Sequence, residues 1–96
     1  NVRAIKDFVE RTALEFTAVK SVDSTLQSRR KKLEITLRVK VQAGNPIPEL
    51  SQVMQQRIRE SMNDSLGIDQ IERITIHISE IVGEAVESHD QVDVLD

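Results

Sequence analysis

The sequence predicts a small α+β domain of order α-β-β-α-β, with two helices packed on one face of a three-stranded mixed sheet. Three observations predict it. Leu33, Ile35, Leu37, Val39, Val41 and Ala43 are apolar, and Glu34, Thr36, Arg38, Lys40 and Gln42 between them are polar. This unbroken period of two marks a strand with one buried and one wet face. Two stretches of helical spacing flank it. A second alternating run, Ile71–Val82, lies beyond the second of them. Strands that alternate need cover on one side only, so both helices belong on the same face.

The 96 residues suffice for one domain with one modest core. Aromatic content is 2 %, with no Trp or Tyr, so stacking platforms for bases or sugars are nearly absent and the core must be aliphatic around Phe8 and Phe16. The absence of cysteine excludes disulfides and thiolate metal sites and fits a reducing compartment. No apolar run approaches the roughly 18 residues that a spanning helix needs, and no signal peptide is visible. The net charge of −3 is unevenly placed. From Gly83 to Asp96 there are five acids and no Lys or Arg, whereas the rest of the chain is slightly basic.

Val2, Ile5, Phe8, Val9, Thr12, Ala13 and Phe16 recur at helical spacing and predict a helix from Val2 to Phe16. Such a helix lies on a membrane surface, binds a partner or packs on a sheet. Its polar face mixes acids with bases, which favours packing over binding to anionic lipid. Val19–Ser28 reads as a strand diluted by Ser21, Asp23, Ser24 and Ser28, polar enough for a sheet edge. It is expected to pair antiparallel with Leu33–Ala43.

The connection holds Arg29, Arg30, Lys31 and Lys32, four consecutive bases at a hairpin tip. Such a run is either a solvated turn that discourages aggregation or a phosphate contact. Gly44-Asn45-Pro46-Ile47-Pro48 ends the strand and opens a helix from Pro48 to Leu66, with Asn45 or the turn itself as the cap. Leu50, Met54, Ile58 and Met62 form its buried stripe. Methionines at this spacing are core before they are an adaptable groove. Gly67 suits the position after the helix end.

In Ile71–Val82, Ile74, Ile76 and Ile78 alternate with Arg73, Thr75, His77 and Ser79. Glu80 interrupts the alternation, so a bulge or strand end is expected there. His77 falls on the polar side without a companion. Gly83–Asp96 is acidic, lacks strong periodicity and is expected to be a disordered or loosely docked tail after a domain of residues 1–82. The two histidines, His77 and His89, form no motif with metal-ligand spacing, and no cofactor fingerprint is present.

The expected strand order is 1-2-3, the last pair parallel through a right-handed crossover; the alternative is 2-1-3. The open face then carries Arg38, Lys40, Arg73 and His77 among Glu34, Thr36, Gln42, Thr75 and Ser79, a mildly basic plane. That face, an exposed edge strand and the basic tip Arg29–Lys32 are the candidate interaction surfaces. No poised acid–base pair in a cleft is evident, so an enzyme is not predicted.

Val39–Leu50, V-K-V-Q-A-G-N-P-I-P-E-L, resembles the alkaline shock protein family of Gram-positive bacteria, in which a strand ends in a small residue and Gly before Asn-x-Ile-Pro-Glu-Leu opens a helix. Val53–Ile58 is similar to the helix of that family, and Gly67-Ile68 with Ile71–Val82 to its closing strand. Ala18-Val19-Lys20-Ser21-Val22 lacks the Gly of the corresponding Gly-Val step. The opening Val2–Val9, V-R-A-I-K-D-F-V, is more similar to the C-terminal domain of the membrane-anchor members.

The resemblance implies a non-enzymatic role in cell-envelope stress without cofactors. It also implies association with a related alkaline shock protein or with a second copy. A hydrophobic segment upstream of Asn1 would hold the domain at the cytoplasmic face of the membrane. The alternative is a small nucleic-acid-binding module using the basic hairpin and the open sheet face. The absence of a Gly-x-x-Gly loop and of aromatic stackers speaks against it.

Overall fold

The computed structural model describes residues 1–83. The order is α1 (Val2–Leu14), β1 (Val19–Arg29), β2 (Lys32–Gln42), α2 (Ile47–Leu66) and β3 (Ile71–Val82). The strands lie in the order β1-β2-β3, with β1 antiparallel and β3 parallel to the central β2. The alternative order 2-1-3 is thereby excluded. The acidic-tail expectation for Gly83–Asp96 falls, beyond Gly83 itself, outside the described residues.

α1 starts because Asn1 Oδ1 accepts the Ala4 N–H at 2.8 Å, satisfying one of the orphan donors of the first turn. It ends two residues short of the predicted Phe16. Glu15 and Phe16 donate to the carbonyls of Thr12 and Ala13, three residues back, so the last turn tightens away from the α geometry. Val9, Thr12 and Ala13 are its buried side chains, and Thr12 Oγ1 donates to the Phe8 carbonyl.

The predicted buried face of β2 is realised: Ile35, Leu37, Val39 and Val41 are all at most 1 % exposed. Their partners on the same face are Leu26, Ser24 and Val22 of β1 and Ile74, Ile76 and Ile78 of β3. α1 packs chiefly on β1, and α2 closes the layer against α1 and β3. Met54, Ile58 and Met62 of α2 are fully buried against this sheet, as core rather than groove.

α2 begins one residue before the predicted Pro48, and its cap is not Asn45. The N-cap is Pro46, with no side-chain cap, and Asn45 Nδ2 instead donates to the Gln42 carbonyl at 2.8 Å. Asn45 therefore ties the turn to the end of β2. Pro48 in the first turn lacks an N–H where none has an intrahelical acceptor, so an uncapped start costs little there.

At the other end Gly67 has φ 68° and donates to the Asn63 carbonyl at 3.0 Å. A side chain at that φ is strained even though no atom lies within 4 Å of the place its Cβ would take. Gly67→Ala is expected to cost about 1 kcal/mol, read as a lowered urea midpoint with unchanged slope.

β3 departs from regular pairing twice. Leu33 pairs with Ile71 but Glu34 with Arg73, and Val39 pairs with Ile78 but Lys40 with Glu80. Glu72 and Ser79 are the extra residues, and the second irregularity is the one anticipated at Glu80.

Candidate functional site

β1 and β2 are joined by two residues only, because Arg29 pairs directly with Lys32. Both loop residues are left-handed, Arg30 at φ 55° and Lys31 at φ 66°. Two-residue hairpins favour this backbone because it follows the twist of the strands, and they normally fill it with Asn and Gly. Here two long cations occupy it, at a steric cost of about 1 kcal/mol or more each.

The turn lies beside the start of β3, since Leu33 pairs with Ile71. Between them is a cleft of about 370 Å³ lined by Arg29, Arg30, Lys32, Glu34, Glu72 and Arg73. Glu34 and Arg73 stand side by side in the register, and Lys32 Nζ lies 3.6 Å from Glu72 Oε1. The cleft is therefore cationic on balance, with four bases and two carboxylates.

The structure thus brings Arg29, Arg30, Lys32 and Arg73 together. Lys31 shares the turn but does not line the cleft. Arg38, Lys40 and His77 lie farther along the open face. Arg38 sits in register between Asp23 and His77, and Lys40 is 3.5 Å from Glu80. A row of threonines, Thr25, Thr36 and Thr75, separates these cations from the cleft. The expected basic plane is consequently two basic regions, the second largely balanced by its own acids.

A second polar cluster joins α1 to β1. Glu10 Oε2 accepts from the Ser24 hydroxyl at 2.6 Å and from the Ser24 N–H at 3.1 Å. Lys6 Nζ donates to the Ser24 carbonyl at 2.6 Å and pairs with Glu10 at 3.1 Å. Burial alone would push the Glu10 carboxyl up, but the Ser24 and Lys6 hydrogen bonds outweigh it and hold its pKa below the ordinary value. The two side chains occupy the outward N–H and C=O of an edge strand, the place a further strand would take. This is a structural lock, and it caps the β1 edge at Ser24, one residue of the edge that the sequence marked as exposed.

Among the described residues no group of three or more His, Asp or Glu is placed to hold a metal, and no helix is long and apolar enough to cross a membrane. His77 is exposed on the open face, next to Arg38.

No family model matches the chain, and no curated protein matches it. Solved structures do. A variant of the MamM C-terminal domain superposes with a TM-score of 0.67 at 13 % identity, covering 85 % of this chain and all of that one. The copper form of another MamM variant gives the same TM-score, identity and coverage of this chain. A nickel form gives 0.65 at 13 % identity over 83 % of this chain. At such identities the likeness is one of fold: the α-β-β-α-β layer described above is shared with the MamM C-terminal domain.

Proposed function

We propose that the chain is a non-enzymatic protein-interaction domain that recruits a related alkaline shock protein at the cytoplasmic face of a membrane during cell-envelope stress. The observation that carries the interaction reading is the cationic cleft at the hairpin end. Its turn keeps two bulky cations in a backbone conformation that Asn-Gly would hold with less strain. Strain retained in a surface loop points to use of the side chains it presents. A cationic cleft receives an acidic protein surface and steers its approach.

The alkaline shock assignment rests on the resemblance of Val39–Leu50 and Ile71–Val82, and the membrane location on that of Val2–Val9 to the membrane-anchor members.

The 96-residue chain mixed with the soluble alkaline shock protein of the same organism is expected to give a heavier species in light scattering, with a Kd of about 10 µM or tighter. Reversing Arg29, Arg30 and Lys32 to Glu is expected to abolish it. Two proteins that stay separate at about 100 µM refute recruitment.

The same cleft is the one observation favouring nucleic acid. Phosphate contacts by its cations require RNA binding that weakens steeply with salt. The carboxylates of Glu34 and Glu72 in the cleft oppose such contacts, and binding of the chain to single-stranded RNA is not expected at physiological salt.

A further inference from the structure

The sheet has two edges, and α-helix side chains cover part of each. The β1 edge is closed at Ser24 by Glu10 and Lys6. On β3, the outward carbonyls of Ile71 and Ile74 accept from Arg59 Nη1 at 3.1 Å and Gln55 Nε2 at 2.9 Å. These α2 side chains cover the start of the strand only.

Peptide groups alternate sides along a strand, so those of Ile76 and Ile78 point outward with that of Ile74. Past the extra residue Ser79, Ile81 points outward as well. The Val82 carbonyl confirms the parity, since it faces inward and accepts the Ala43 N–H at 2.9 Å. Among the described residues no strand or side chain reaches the outward groups of Ile76, Ile78 and Ile81. Their side chains lie toward the helix layer but are incompletely covered: Ile76 and Ile78 are half-buried, and Ile81 is 56 % exposed. An apolar strand edge with free main-chain groups is a template for another strand.

We propose that the Ile76–Ile81 edge pairs antiparallel with the same edge of a second copy, on a two-fold axis through Ile78. This deepens the interaction reading by naming a surface and a partner. The stretch is complementary to itself in that register. With Ser79 bulged in both strands, Ile78 faces Ile78 of the second copy and Ile76 faces its Ile81. The outward groups then supply about six main-chain hydrogen bonds. On the open face, His77 meets the second copy's Glu80, an imidazole against a carboxylate, twice by symmetry. No like charges are brought together. The ladder also stops before Ile74 and Ile71, which Gln55 and Arg59 already occupy. The result is a continuous six-stranded sheet that shields the three isoleucines.

Sedimentation of the 96-residue chain from about 1 µM to 1 mM is expected to show a monomer–dimer equilibrium. Amide protection at Ile76, Ile78 and Ile81 should rise with protein concentration. His77→Glu sets two carboxylates together across the axis, and Glu80→Arg sets a guanidinium against an imidazole. Each is expected to weaken the dimer about tenfold. An equimolar mixture of the two variants is expected to recover it, since the introduced carboxylate then meets the introduced guanidinium. Both residues are exposed, and the Lys40–Glu80 pair that Glu80→Arg removes is half-exposed and of small energy, so urea midpoints of both variants are expected to stay close to that of the parent. Dimers indifferent to both variants overturn the proposal while leaving self-association in place. A chain monomeric throughout, or a dimer without concentration-dependent protection at these amides, also overturns it. Recruitment of the related domain is read in the separate mixing experiment, so either result stands without the other.

Discussion

Glu10→Ala is expected to destabilise the chain by about 2–3 kcal/mol and to make it self-associate through β1. The carboxylate accepts two hydrogen bonds from Ser24, whose residue is only 4 % exposed, and a third from Lys6. Hydrogen bonds to a charged group contribute about 1.5–3 kcal/mol, and the larger part of the loss comes from leaving buried donors unpaired. The truncation leaves the Ser24 N–H without its acceptor, and the Ser24 hydroxyl keeps only Lys6. The Ser24 N–H that α1 had capped then becomes available for strand pairing along β1. Urea unfolding gives the stability change, and size-exclusion profiles at rising concentration give the association. Glu10→Gln keeps an acceptor oxygen and should fall between the two. A loss below about 0.5 kcal/mol would mean that water replaces the carboxylate without penalty, and that the cluster is not a lock.

The same residue sets an acid dependence. The folded pKa of Glu10 lies below its ordinary value of 4.5, so the unfolded chain takes up this proton first as the pH falls. Its stabilisation is therefore fully present well above pH 4.5 and is lost progressively as the pH drops through the folded pKa. In Glu10→Gln that part of the acid slope should disappear.

The architecture was legible because its signals are local and repeated. The alternation in Leu33–Ala43 and Ile71–Val82 set strands and faces, and Gly67 marked the end of α2. The polarity of β1 favoured the order 1-2-3 over 2-1-3, and only the strand pairing decides between them. What escaped depends on contacts between distant residues. Ser24 sits between Val22 and Leu26 at an inward parity, and a serine there needs a polar companion. Lys6 and Glu10, four apart on α1, were available, but only the packing of α1 on β1 brings them to it. Arg29, Arg30 and Lys32 were found as a run of charge and Arg73 on the open face, whereas Glu72 is the extra residue of a bulge between Ile71 and Arg73 that no pattern announces. Composition left the cap to Asn45 or to the turn itself, and the turn directs the Asn45 amide to Gln42. The open edge at Ile76–Ile81 was missed because alternation describes faces, and an edge is a property of strand order and of which side chains reach around it.

Replacing Arg30-Lys31 by Asn-Gly is expected to stabilise the chain by about 1–2 kcal/mol while weakening partner binding. Both positions are left-handed, where a bulky side chain crowds the following carbonyl and costs about 1–2 kcal/mol relative to glycine, less for Asn. The exchange also thins four adjacent positive charges to two. Part of the gain is offset because glycine gives the unfolded chain more freedom to lose. Against this, Arg30 lines the cleft, and its loss removes one of the cations that an acidic surface would meet. Thermal unfolding and the light-scattering assay therefore move in opposite directions, the Tm up and the heavier species down. An unchanged Tm would show that the turn carries no strain. A raised Tm with undiminished binding would show that Arg29, Lys32 and Arg73 suffice, and that the two strained residues serve the hairpin rather than the partner.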